Sequence, residues 1–109
     1  MSDLAQKKCV ACEGFQEPLN ETEAKVLMAQ IPNWQLASDA KSIARSFDFK
    51  NFSDALAFTN KVGAIAESEG HHPDISLGWG KVHIELTTHA IKGLSENDFI
   101  VAAKVDQIV

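Results

Sequence analysis

The sequence predicts an α+β domain, a four-stranded antiparallel sheet with helices on one face, in the order α-β-β-α-β-β-α. Three observations carry this. Ile43, Arg45, Phe47 and Phe49 alternate with Ala44, Ser46 and Asp48, and Val82, Ile84 and Leu86 with His83, Glu85 and Thr87, the period of a half-buried strand. Segments beginning near Asn20, Asn51 and Ser95 instead space apolar residues at three and four, the period of a helix face. Strand segments come in pairs between the helices, which favours hairpins over parallel crossovers.

Asn20 or Thr22 can cap the first helix, with Glu21 and Glu23 at the positive end of its dipole. Ala24, Leu27, Met28 and Ile31 form its apolar face, and Pro32 ends it. Trp34–Leu36 is a short strand, joined through a turn at Asp39-Ala40-Lys41 to the strand Ile43–Phe49. Asn51 or Ser53 starts the longest helix, whose stripe of Phe52, Ala55, Leu56, Thr59, Val62, Ile65 and Ala66 reads as core. It should run to about Ser68, with Gly70 as its stop. Ile75–Trp79 is the third strand, bent by Gly78 and Gly80. In Val82–Thr88, Val82, Ile84 and Leu86 face one way, and His83, Glu85 and Thr87 the other. Ser95 caps the last helix, with Phe99, Ile100, Ala102 and Ala103 inward. Residues 1–20 carry Gly14 and Pro18 without periodicity and read as a flexible arm before a single domain over 21–109. The uncovered sheet face is either solvated or covered by a partner, most simply a second copy of the chain.

Composition narrows the function classes. The 109 residues carry a net charge of -5, with 15 acidic and 10 basic side chains and no Lys/Arg block. That balance disfavours nucleic-acid binding, which needs a concentrated basic surface. No apolar run approaches the roughly 18 residues that span a bilayer. The polar start Met-Ser-Asp-Leu-Ala-Gln-Lys-Lys lacks the apolar core of a secretory signal, so a cytoplasmic location is expected. Cys9 and Cys12 form a Cys-x-x-Cys pair. No strand precedes it, as a thioredoxin-type dithiol requires, and no third cysteine completes a zinc site. Two thiols in a loose arm are the simpler reading.

All four histidines fall between residues 71 and 89. His71 and His72 follow Gly70 at a helix-to-strand junction, where loop side chains over a rigid scaffold suit catalysis. Imidazole exchanges protons near neutral pH, and neighbours in extended chain point opposite ways, so the two should do different work. A solvated pair is the plain alternative. His89 leaves the end of its strand on the polar side, whereas His83 sits mid-strand and reads as structural. Glu67, one helical turn before the pair, can accept from a ring N–H and fix a tautomer, or simply be solvated. Asp98, three residues after Ser95, suits a capping box as well as a catalytic role.

Singly these signals are weak; together their spacing is specific. Glu67-x-x-x-His71-His72-Pro73, five residues, Trp79, nine residues, His89, eight residues and Asp98 resembles the signature of the pterin-4a-carbinolamine dehydratase family. The wording Glu-Gly-His-His-Pro-Asp, Lys-Val-His-Ile-Glu-Leu-Thr-Thr-His and Gly-Leu-Ser-Glu-Asn-Asp is similar to that family throughout, over Trp34 to Val105. The cysteine-bearing arm is similar to arms of bacterial members.

The resemblance implies removal of water from a 4a-hydroxy-tetrahydropterin to give the quinonoid dihydropterin, recycling the pterin of aromatic amino-acid hydroxylases. It implies no metal or organic cofactor; the uncovered sheet face separately leads us to expect a homodimer or homotetramer. By position it implies that His71, His72 and His89 line the pterin site and that Glu67 and Asp98 support it. Within this, His71 and His89 are expected as acid/base groups, His72 as the group orienting the pterin, and Asp98 as a support for His89 or a ring N–H. Two other classes are carried alongside. Some animal members of the family act as dimerisation cofactors of a transcription factor, a role for a helix face rather than for histidines. A metal hydrolase on His71, His72 and His89 is disfavoured, because adjacent histidines in extended chain do not readily share an ion and no helical His-x-x-x-His exists.

Overall fold

The structure, a computed structural model, describes residues 4–9 and 17–109. The predicted order holds. Helix α1 spans Glu21–Met28, β1 Gln35–Leu36, β2 Ile43–Asp48, α2 Phe52–Glu69, β3 Asp74–Leu77, β4 Lys81–Leu86 and α3 Glu96–Asp106. The strands form one antiparallel sheet in the order β1-β2-β4-β3. Short 3-10 turns at Leu4–Gln6 and His89–Ile91 are additions the periodicity did not reveal.

Local chemistry explains the boundaries. Asn20 caps α1, its side chain accepting from the Glu23 amide at 2.8 Å while Glu23 accepts from the Asn20 amide at 2.9 Å, a reciprocal capping box. Asn51 caps α2 through the Asp54 amide at 2.7 Å. Gly70 ends α2 with a φ of 64°, a left-handed conformation that glycine adopts without strain. The β1–β2 turn is tied by the Lys41 amide on the Asp39 carboxylate at 3.0 Å. β3 is shorter than expected, because the Gly78 amide bonds the Lys81 carbonyl at 2.8 Å and closes a tight turn. Trp79 therefore stands at a hairpin tip, 70% exposed, rather than within a strand.

One sheet face is apolar. Ile43, Phe47, Val82, Ile84 and Leu86 are buried, while Ser46, Asp48, Lys81, His83 and Glu85 are exposed. Register sets Ser46 opposite His83, and the Ser46 hydroxyl lies 2.8 Å from His83 Nδ1 on the outer face.

The helix faces depart from expectation in two ways. Along α2 the buried residues are Ala55, Phe58, Val62 and Ala66, so the stripe is rotated towards Phe58. Its ring packs at 4.7 Å on Phe47 and 5.1 Å on Phe49, and this large aromatic contact fixes the helix about its axis. Phe52 and Leu56, read as core, are 44% and 40% exposed. Helix α3 is buried nearly all round, from Asn97 to Ala103 and again at Val105. The cause is the N-terminal segment. Leu4 is 1% exposed and Ala5 is buried with it in the same core as α3. Residues 4–9 of the expected flexible arm are thus packed on the domain, held also by Lys104 Nζ on the Ala5 carbonyl at 3.0 Å and by the Lys7–Glu96 ion pair at 2.9 Å. Cys12 lies outside the described residues.

Candidate active site

Three element ends converge: the C-terminus of α2 with the residues after it, the chain leaving β4, and the N-terminus of α3. Gly70 turns the chain out of α2, and the His71 amide returns to the Ala66 carbonyl at 3.2 Å, which fixes the start of the next segment. His71 Nε2 then lies 2.6 Å from Asp98 Oδ1. The His71 side chain is 12% exposed and that of Asp98 is 0% exposed. A buried ionised carboxylate is costly unless donors surround it. Here Asp98 Oδ2 accepts from the Thr88 hydroxyl at 2.7 Å and from the Ser95 amide at 3.0 Å. Both oxygens are therefore occupied, and the carboxylate stands at the third residue of α3, where the helix dipole favours negative charge. Because a carboxylate only accepts, His71 carries its proton on Nε2. Nδ1 is left for exchange with another molecule.

The neighbouring pair is built differently. His72 Nε2 lies 2.6 Å from Glu67 Oε1, with both side chains largely exposed. The structure pairs Glu67 with His72 rather than with His71. An exposed pair of this kind contributes little to stability. The expectation that Asp98 supports His89 or a ring N–H resolves onto His71. His89 is exposed and opens the 3-10 turn after β4. It is tied to the others through the chain, because Thr88 immediately precedes it.

Thr88 was passed over by the motif. It nevertheless shares the parity of Val82, Ile84 and Leu86, which directs it to the buried side. A threonine directed into a core needs a hydrogen-bond partner, and that signal was available in the sequence.

Two other features lie nearby. The Cys9 amide donates to Glu69 Oε1 at 2.8 Å, and Lys104 Nζ is 3.6 Å from the other Glu69 oxygen. The hydrogen bond from the Cys9 amide, with the Lys104 ammonium beside it, holds the Glu69 carboxyl below its usual range. Burial, with the Glu69 carboxylate beside it, pushes the Cys9 thiol up to about 12. Such a thiol stays protonated and unreactive at neutral pH. A groove of about 370 Å³ lies elsewhere, over the outer sheet face, and is lined by Asn33, Gln35, Ala44, Arg45, Ser46 and His83. Its walls are polar, and it contains none of the residues of the His71–Asp98 network. Among the described residues no group of three or more His, Cys, Asp or Glu side chains is arranged to hold a metal ion. Among them, too, no helix is long and apolar enough to cross a membrane.

Comparison with known proteins identifies the family. A Methylococcus capsulatus protein named provisionally as a pterin-4-alpha-carbinolamine dehydratase is 50% identical over 105 residues, covering 96% of this chain and 92% of that one. A Rubrobacter xylanophilus protein with the same provisional name is 49% identical over 108 residues, covering 99% of this chain and 100% of that one. The crystal structure of a Brucella melitensis protein described as a transcriptional coactivator/pterin dehydratase superposes with a TM-score of 0.79 at 33% identity, covering 84% of this chain and 98% of that one. A pterin dehydratase-like protein described as a RuBisCO assembly factor in the alpha-carboxysome superposes with a TM-score of 0.61 at 27% identity, covering 70% and 88%. Residues 17–108 match the family described as Pterin 4 alpha carbinolamine dehydratase, and the chain belongs to that family of hydro-lyases.

Proposed function

We propose that this protein is a cytoplasmic, cofactor-independent dehydratase that converts a 4a-hydroxy-tetrahydropterin into the quinonoid dihydropterin and water, recycling the pterin used by aromatic amino-acid hydroxylases. The observation that carries this is the 2.6 Å hydrogen bond from His71 Nε2 to the fully buried Asp98 carboxylate. It gives the ring a fixed tautomer, a fixed orientation and a single exchangeable nitrogen.

The chemistry asks for this. C4a carries a hydroxyl and an adjacent ring nitrogen. One proton goes to the hydroxyl oxygen, and the C–O bond breaks. The nitrogen lone pair forms the C=N bond, and the N–H proton passes to a base. The sum is loss of one water. Two acid/base groups held in fixed positions meet this need, each worth about 10²–10⁴ in rate. His71, through Nδ1, and His89 are assigned to these steps. His72, oriented by Glu67, binds and aligns the pterin ring, which lowers the barrier by positioning. Asp98 holds His71 in place.

A homodimer or homotetramer belongs to this reading. Phe52 and Leu56, one turn apart and partly exposed on α2, supply apolar surface for such an assembly.

The test is stopped-flow dehydration of freshly generated 4a-hydroxy-tetrahydropterin. The protein should accelerate the reaction, and His71→Ala and His89→Ala should each remove most of that acceleration. Full activity in both variants overturns the assignment.

A further inference from the structure

The Asp98 carboxylate needs more than burial to do its work. The torsion that turns a carboxylate about its Cβ–Cγ bond is soft and roughly two-fold. Left alone, either oxygen can swing towards His71, at a range of angles. Two donors on Oδ2 remove that freedom. One is the Ser95 amide, part of the helix cap. The other is the hydroxyl of Thr88, a residue only 4% exposed.

The direction of the Thr88 bond is fixed by counting protons. Its hydroxyl lies 2.7 Å from Asp98 Oδ2 and 2.8 Å from Ser95 Oγ. A hydroxyl has one proton and two lone pairs, and an ionised carboxylate has no proton to give. Thr88 therefore donates to Asp98, and Ser95 Oγ donates to Thr88. The chain runs from Ser95 through Thr88 to Oδ2, while His71 donates to Oδ1 from the other side.

The backbone of Thr88 has a second engagement. Its amide donates to the Gly93 carbonyl at 2.9 Å, and its carbonyl accepts from the Ile91 amide at 3.2 Å. These bonds close the loop that holds His89, the next residue. One buried side chain thus fastens the His89 loop to the carboxylate that holds His71.

We infer that Thr88 is a positioning residue of the active site: its hydroxyl locks the Asp98 carboxylate onto His71 Nε2 and fixes the His89 loop against it, setting the two histidines in place together. The inference rests on the dehydratase reading, and it predicts an effect on turnover rather than on substrate affinity. Misplacement of a catalytic group by about 1 Å can cost about 10²-fold in rate.

The experiment compares Thr88→Val, which keeps the shape and loses the proton, with Thr88→Ser, which keeps the proton. Thr88→Val should lower kcat by about 10- to 100-fold with KM changed less than about three-fold, and Thr88→Ser should stay within about three-fold of the parent. In nitrogen-15 NMR spectra of the neutral imidazoles, His71 should carry its proton on Nε2 in the parent and in Thr88→Ser, and show mixed tautomers in Thr88→Val. Adding Thr88→Val to Asp98→Asn should cost little beyond Asp98→Asn alone, since one acts through the other. A Thr88→Val enzyme with parental kcat and an unchanged His71 tautomer overturns the inference, as does strict additivity in the double variant. If Thr88→Val fails to fold, Thr88→Ala against Thr88→Ser makes the same comparison. If the parent itself dehydrates no 4a-hydroxy-tetrahydropterin, the dehydratase reading fails, and the His71 tautomer still decides whether Thr88 positions the pair.

Discussion

Replacing Asp98 by asparagine tests the core of the proposed mechanism at almost constant volume. Asp98 receives donors from His71, Thr88 and the Ser95 amide. The asparagine amide brings two protons to a place built for acceptors. Turned towards Ser95 and Thr88, its NH₂ opposes a backbone N–H that cannot move. Turned towards His71, its NH₂ is satisfied only if Nε2 becomes the acceptor. The second arrangement costs less, and it forces the His71 proton onto Nδ1, the nitrogen assigned to the substrate. A neutral His71 then cannot accept a proton there. The expected loss in kcat is about 100-fold or more, with KM within about three-fold, the lower range of general acid–base effects. Stability falls as well, because hydrogen bonds to a charged group, each worth about 1.5–3 kcal/mol, become neutral ones while the cost of burying a charge is relieved. A net loss of about 2 kcal/mol is expected. With an unfolding entropy of about 0.23 kcal/mol/K for a chain of this length, that lowers Tm by about 9 °C. Stopped-flow dehydration gives the first quantity and calorimetry the second. An Asp98→Asn enzyme with kcat within three-fold of the parent refutes the role of the carboxylate, whatever its Tm.

Four further outcomes are expected. With Cys12 replaced by serine, the Cys9 thiol should alkylate far more slowly at pH 8 in the folded than in the denatured protein, because its pKa is pushed up to about 12; since the unfolded thiol ionises first, folding stability should also decline from about pH 9 upward as the denaturant midpoint is followed. Leu4→Ala should cost about 2–5 kcal/mol in denaturant unfolding, the range for a buried leucine, whereas a freely moving arm predicts no change. Gly70→Ala should cost about 1 kcal/mol: its φ is 64° and an added Cβ meets nothing within 4 Å, so only the left-handed backbone penalty applies, partly offset in the unfolded chain. Leu56→Glu should reduce the mass measured by light scattering to that of the monomer without changing the helical circular dichroism; an unchanged mass removes α2 from the assembly surface.

The fold was legible because its periods are clean. Val82, Ile84 and Leu86 alternate without a break, and Asn20, Asn51 and Gly70 mark helix ends through bonds that involve only near neighbours. What the sequence did not disclose depends on contacts between distant segments. The rotation of α2 is decided by Phe58 against Phe47 and Phe49, and a stripe drawn through Phe52 and Leu56 satisfies the same helical spacing. Leu4 looked like part of an arm because a three-residue turn has no period; its burial comes from the far side of α3, a face that the sequence alone treats as outer. The site shows the same division. Motif spacing brought Glu67, His71, His72, His89 and Asp98 onto one page, but which carboxylate meets which ring depends on how α2 and α3 end beside one another. Thr88 escaped because the motif marks its neighbour, although its parity already pointed inward.

The role proposed for Asp98 as a support of His71 does not compete with its place in the helix cap. The Ser95 amide and the Thr88 hydroxyl use Oδ2, and His71 uses Oδ1. The capping bond restrains the carboxylate, and the restraint presents the second oxygen to the histidine at a fixed angle. Substitution by a residue that only caps, such as asparagine, retains the first function in part and loses the second, so the two are separable by measurement. The same reasoning bears on the wider family. A fold by itself does not specify a reaction; the site does. In the proposed mechanism that site is a buried acceptor holding one histidine by one nitrogen, braced from behind by a hydroxyl in the segment that leads from β4 to the other.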